Sequence, residues 1–284
     1  MAQQPPMSPE TLQEAAAKQQ RLFGLNLEGG NYAGVDLTGG QFVRGNLRGI
    51  NLSKARLECA TFAESDLSGA DLTEAQCRET NFGRCRMVGT VFSRATLREA
   101  NFMGAILESV RMEDADLHTA FFTQARITLG DFSGATLTGA WLNDAQFMLC
   151  QMSNIQAEKL HAPKANFIGS ALRQAMLDRS MLAGANFSLG DLEEISLRGC
   201  VLKLANFLAA DMDRAKLTRS NLEQAQFLRV KARKALLNGT NLKGAWLNEG
   251  DFSHANFDAA FMLQTHTDGT LLDGASFEGT KREE

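Results

Sequence analysis

An apolar centre, or a recognisable weakening of one, returns at every fifth position from Leu27 to Phe277, and the count never slips across 51 pentads. Of these centres 24 are Leu, 15 are Phe and 5 are Met; the others are Tyr32, Cys77, Ile127, Ala157, Ala162, Ala232 and Thr267. A small residue usually stands two positions earlier, as in Ala70-Asp71-Leu72 and Ala185-Asn186-Phe187. Neither regular secondary structure keeps such a pattern on one side. On an α-helix a step of five turns a side chain about 140° around the axis, and on a flat strand it flips the side chain to the opposite face. One interior survives only if the chain bends by a similar angle at each repeat. The Asp or Asn before the centre and the Gly two after it, as in Asp36-Leu37-Thr38-Gly39, suit tight bends. A period copied along nearly the whole chain therefore predicts an all-β solenoid.

These residues resemble the pentapeptide repeat family, whose motif is Ala, Asp or Asn, Leu or Phe, then two variable positions; the resemblance covers residues 25–279. It implies a right-handed quadrilateral β-helix, with four pentads to a square coil of 20 residues. The centre and the small residue would point inward and the other three positions outward. Fifty-one pentads would make about 13 coils, and at a strand spacing of about 4.8 Å a rod about 60 Å long. The expected organisation is an N-terminal tail and capping helix over residues 1–24, one continuous repeat domain over 25–279, and a tail over 280–284. Burying a Leu or Phe contributes about 1.5–3 kcal/mol before entropy is subtracted, so the core needs neither metal nor disulfide.

Four of the five cysteines fall on inward positions, Cys77 as a centre and Cys85, Cys150 and Cys200 in the small slot, while Cys59 faces outward. The odd total and the interior placement of four read as small hydrophobes in a reducing, cytoplasmic setting. His118, His161, His254 and His266 fall on four different sides and cannot converge on a metal. With no phosphate loop, nucleophile elbow or carboxylate dyad outside the repeat, the chain reads as non-enzymatic and without a cofactor. Met1–Pro6 shows no secretory signal, and no stretch approaches a transmembrane length.

Ser8-Pro9-Glu10 predicts a helix start, with Leu12, Ala15, Ala16, Gln19, Leu22 and Phe23 following at helical spacing; such a helix would shield the first coil. At the other end Thr265, His266 and Thr267 stand where an apolar centre is due, which predicts a frayed or partner-covered terminus. Family members that protect DNA gyrase from quinolones typically end in an apolar dimerising segment, and this chain ends in Lys281-Arg282-Glu283-Glu284 instead. Around Ile155, Ala157, Leu160, Ala162 and Pro163 large and small exchange places; volume is kept, so local repacking is favoured over a kink.

With 20 residues to a coil, outward positions sort into four faces. One column reads Phe121, Trp141, His161, Met181, Val201, where Asp or Asn is usual. The next face carries Leu129, Met148, Leu149, Ile168, Leu189, Leu208 and Leu228. Together they predict an apolar strip larger than scattered exposed side chains require. The third face carries Glu113, Asp114, Asp131, Asp191, Glu193, Glu194, Asp211 and Asp213, and turns basic at Lys231, Arg233 and Lys234; the fourth is mixed and polar. The leading expectation is a bacterial scaffold or adaptor that binds another protein, or a second copy of itself, through the apolar faces, contacting neither nucleic acid nor membrane. The resemblance also implies a rival, a DNA mimic that offers its acidic face to DNA gyrase or another topoisomerase. A net charge of −4 is small beside duplex DNA, which carries one charge per about 1.7 Å.

Overall fold

The computed structural model describes residues 7–282; the reading of Met1–Pro6 lies outside them. The chain divides into two compact units, Met1–Thr136 and Leu137–Glu284. Each is a right-handed quadrilateral β-helix wound by the same rule.

That rule is visible in the pairing. Bridges run in parallel between residues 20 apart, from Asn26↔Asn46 onward in the first unit and from Trp141↔His161 to Phe261↔Lys281 in the second. Few sides lengthen into formal strands: β1 (Arg21–Phe23) pairs in parallel with β2 (Gln41–Val43), β3 (Ile106–Glu108) with β4 (Arg126–Thr128), and β5 (Gln146–Met148) opens the second unit. From Tyr32 to Met262 the centre and the small residue of each pentad are buried, and the other three positions lie on the outer side of the winding. Stacked centres make continuous cores. Phe42, Phe62, Phe82, Phe102 and Phe122 stack ring on ring in the first unit, and Phe147, Phe167, Phe187, Phe207 and Phe227 do so in the second, with centroids 4.8–5.6 Å apart.

Each bend is a tight turn whose second central residue has positive φ, as at Gly69 (φ 69°), with Ala70 N–H bonded to Leu67 O at 2.9 Å. The Asp or Asn before the centre secures the bend: Asp66 Oδ1 accepts from Ser68 N–H at 2.9 Å and Asn186 Oδ1 from Ser188 N–H at 3.0 Å.

Helix α1 (Pro9–Ala17) begins as its residues demand, with Ser8 accepting from Thr11 N–H and Pro9 in the first turn. Leu12, Ala15 and Ala16 are buried, and Tyr32 Oη donates to Met7 O at 2.6 Å, tying this segment to the first coil. The helix is shorter than its apolar spacing predicted. Gln19 adopts φ 50°, while Gln19 N–H bonds Ala16 O and Gln20 N–H bonds Ala15 O, a Schellman ending. Leu22 and Phe23 then lie in β1, so winding starts before residue 25.

The exchanged stretch is repacked without loss of register. Ile155, Ala157, Leu160 and Ala162 are all buried, and Gln156↔Met176 and His161↔Met181 keep the 20-residue spacing. Near the C-terminus, where a frayed or partner-covered end is expected, the winding continues to Lys281, although the centre Thr267 is exposed. Bridges Trp246↔His266, Asp251↔Leu271, Asn256↔Ser276 and Phe261↔Lys281 persist, although Thr265, Leu272 and Phe277 inside them are only half-buried. The last bridge reaches into the stretch read as a tail; Glu283 and Glu284 lie outside the described residues.

Candidate protein-binding surface

In the second unit the residues expected to face solvent do so. Trp141 is 40% exposed and Met181 49%, with Val201 also exposed and His161 half-buried between them. They form one ladder, in which Trp141 and His161 stack at 4.1 Å with planes 6° apart and bridges join His161 to Met181 and Met181 to Val201. On the adjoining side Leu149 and Leu189 are 54% and 62% exposed, Leu208 is exposed, and Met148, Ile168 and Leu228 are half-buried. Ser188, itself buried, interrupts this second column. Leu204, which column sorting missed, is 55% exposed at the bend between the two sides and links them. The signal was available in its place, three residues after Val201 and four before Leu208.

Phe121 and Leu129 belong to the first unit, and both are exposed there. Met103 and Ile106 are exposed near Phe121, one coil earlier, and sequence sorting missed these too.

Two local features make the apolar face costly. Leu149, Leu189 and Leu204 occupy left-handed bends with φ of 56°, 58° and 60°, where a bulky side chain is disfavoured and glycine is at ease. Leu149 lies over Gly169: a Cβ there would meet its Cδ2 at 2.7 Å. In the other column, Trp, Met and Val replace the Asp or Asn that would accept a hydrogen bond from the bend, a contribution of about 1 kcal/mol each.

The acidic face differs from its appearance in sequence. In the second unit its carboxylates are held by cations of neighbouring coils. Arg173 pairs with Asp191 and Glu193, Arg214 with Glu193 and Glu194, Lys231 with Asp211 at 2.7 Å, and Arg233 with Asp213. Asp213 is buried. Burial pushes its carboxyl upward, but hydrogen bonds from Arg233 and the charges of Lys231 and Arg233 outweigh this and hold it below the usual range. Between residues 173 and 234 this face carries five carboxylates, Asp191, Glu193, Glu194, Asp211 and Asp213, and five cations, Arg173, Arg214, Lys231, Arg233 and Lys234. Asp131, in the first unit, accepts from Ser133 N–H at 2.9 Å.

Among the described residues no group of three or more His, Cys, Asp or Glu side chains could hold a metal, and no helix is long and apolar enough to cross a membrane. Burial pushes the Cys85 and Cys200 thiols up to about 12 and raises Cys77 as well; Cys59 alone is exposed.

A chain wound in pentads around stacked Leu and Phe defines its class. It belongs to the pentapeptide repeat family, whose model matches in 8 copies over residues 33–69, 50–87, 85–124, 164–199, 191–224 and 235–266. No curated protein matches the chain. Among solved structures, it is similar to HetL, a pentapeptide repeat protein involved in heterocyst differentiation regulation from the cyanobacterium Nostoc sp. strain PCC 7120, at 21% identity over 96% of each chain with a TM-score of 0.36. A trypsin-treated form of QnrB1, a plasmid-mediated fluoroquinolone resistance protein, is 20% identical over 70% of this chain and 89% of its own, with a TM-score of 0.39. Rfr23 from the cyanobacterium Cyanothece 51142 is 18% identical over 49% of this chain and 91% of its own, with a TM-score of 0.22.

Proposed function

We propose that this protein is a non-enzymatic, cytoplasmic scaffold that holds another protein against the apolar sides of its second unit. The observation that carries this reading is that Leu149, Leu189 and Leu204 stand exposed at bends where glycine would be less strained. A surface that costs stability without burying anything in the monomer has its return in binding. Aliphatic and aromatic anchors within a polar rim are the usual energetic centres of interfaces. The five free cysteines support a reducing compartment.

Competition with DNA for a topoisomerase would need a run of bare carboxylates. The ion pairs on the third face leave the second unit without one, so this reading ranks below the first; a gyrase supercoiling assay unaffected by micromolar protein would remove it.

Two variants test the scaffold reading. One carries Trp141→Asn, Met181→Asn and Val201→Asn, and the other Leu149→Gly, Leu189→Gly and Leu204→Gly. Each places at these positions what the repeat itself prefers, so the melting temperature should hold or rise. Affinity capture followed by mass spectrometry should then lose the protein that the unaltered chain retains. Capture that survives both variants overturns the surface.

A further inference from the structure

The side of the second unit that presents Met181 and Val201 is bounded by an arginine cleft. Asp178, Arg179, Arg198, Gly199, Thr218 and Arg219 line a cavity of about 440 Å³ at the bend just before this side. It exists because Gly199 has no side chain: a Cβ there would meet only the Cγ of Arg179, at 3.8 Å, so the arginine stem leans over an open floor. The single carboxylate in the cleft is already committed. Asp178 accepts from Arg198 Nε at 2.9 Å, from Arg198 N–H at 3.0 Å and from Ser196 Oγ at 2.6 Å. Arg179 and Arg219, both exposed, have no carboxylate within ion-pairing distance among the described residues. Lys159, one coil earlier in the same column, and Lys164, at the opposite edge of this side, are likewise exposed and form no ion pair among the described residues. In a chain of net charge −4, the Arg179 edge of the apolar column thus carries cations without an ion-pair partner among the described residues.

Arg179 stands at the bend and Met181 two residues on, with the inward-pointing Ser180 between them, so both lie on the outer surface. One extended segment could therefore reach cation and apolar column together. Resting on the scaffold reading, we propose that the partner docks an acidic, aliphatic peptide segment, its carboxylates between Arg179 and Arg219 and its apolar side chains on Met181 and Val201. Guanidinium forks match carboxylates in geometry as well as charge. Single-stranded nucleic acid fits less well: its bases require flat platforms, and the residues next to the cleft are Met and Val, while Trp141 is already stacked on His161.

Fluorescein-labelled peptides alternating Glu with Leu, Lys with Leu, and Glu with Ser, together with a short single-stranded RNA, provide the probes for anisotropy titrations of the full chain. The Glu–Leu peptide should bind at least about tenfold more tightly than the other peptides, and more weakly as salt rises. Arg179→Ala with Arg219→Ala should remove the preference for Glu over Lys, and Met181→Asn with Val201→Asn the preference for Leu over Ser. If Glu–Leu and Lys–Leu bind equally and only the Met181 and Val201 changes weaken them, the acidic partner is excluded while the apolar surface stands. If the arginine changes alone matter, the apolar surface falls and with it the composite segment. Tighter binding of RNA, or no Glu–Leu binding up to about millimolar peptide, overturns the proposal.

Discussion

The last position of the pentad, two after the centre, takes a φ of about +50° to +70° with hardly any regard to the residue there, from Gly69 to Arg84, Glu99 and Leu189. Winding imposes that conformation, and each side chain either tolerates it or is kept for another reason. For charged residues the bend offers partners one coil away: Arg44 Nε reaches Glu64 Oε2 at 2.6 Å and Arg229 Nε reaches Glu249 Oε2 at 2.6 Å. Exposed leucines have no such return within the monomer. The interior follows a different logic, visible in the thiols. Cys200 Sγ donates to Leu177 O at 3.0 Å, and Cys85 Sγ to Phe62 O at 2.9 Å, so each behaves as a buried donor, not a nucleophile. A thiol reagent at neutral pH should therefore label one cysteine, Cys59, in the folded protein and all five in denaturant. Rapid labelling of a second thiol in the native state would contradict the burial described.

At the level of elements, the strands hardly exist as such; a side of two or three residues is held because its neighbours 20 positions away are. An end lacks one neighbour, and α1 supplies it at the N-terminus. Its Ser8 cap should be worth about 1 kcal/mol, so Ser8→Ala should lower the denaturant midpoint modestly without changing the strand signal in circular dichroism. A loss much beyond about 2 kcal/mol would mean that Ser8 does more than cap. The interior slots were legible in the sequence because only burial sets their size, and the apolar columns because their period equals one coil. The end of α1 was not, since Gln19 carries no sign that it will turn left-handed and Leu22 serves a helical spacing and a pentad centre equally well. Nor was the ion pairing: Asp213 and Arg233 stand 20 apart, but the hold of Arg214 on both Glu193 and Glu194 depends on how side chains lean across a bend. The arginine cleft was hidden for the same reason, because only geometry shows that Asp178 belongs to Arg198 and leaves Arg179 alone.

For the molecule as a whole, carboxylates set the response to acid. In Asp66 and Asp116 burial pushes the carboxyl upward, and hydrogen bonds from Ser68 and Arg48, and from His118 and Arg98, overcome it; in Asp36 the Thr38 hydroxyl leads the lowering. With Asp213 these groups hold folded values below the ordinary 3.8. The unfolded chain then binds more protons as acid is added, so their stabilisation is complete above about pH 4 to 5 and lost as pH falls through the folded values. The melting temperature should be level from about pH 8 to 5 on their account and drop steeply below about pH 4; a decline beginning near pH 6 would contradict the part given to these carboxylates. The spacing of 20 between bridged residues has a further consequence, for insertions and deletions. Dropping one pentad between Met181 and Val201 would leave the interior slots filled but march Val201 and everything after it onto the preceding side, detaching it from the row that Trp141 begins. Genetic change in fives can thus preserve the winding while reshuffling the exterior, and only change in twenties leaves both as they were.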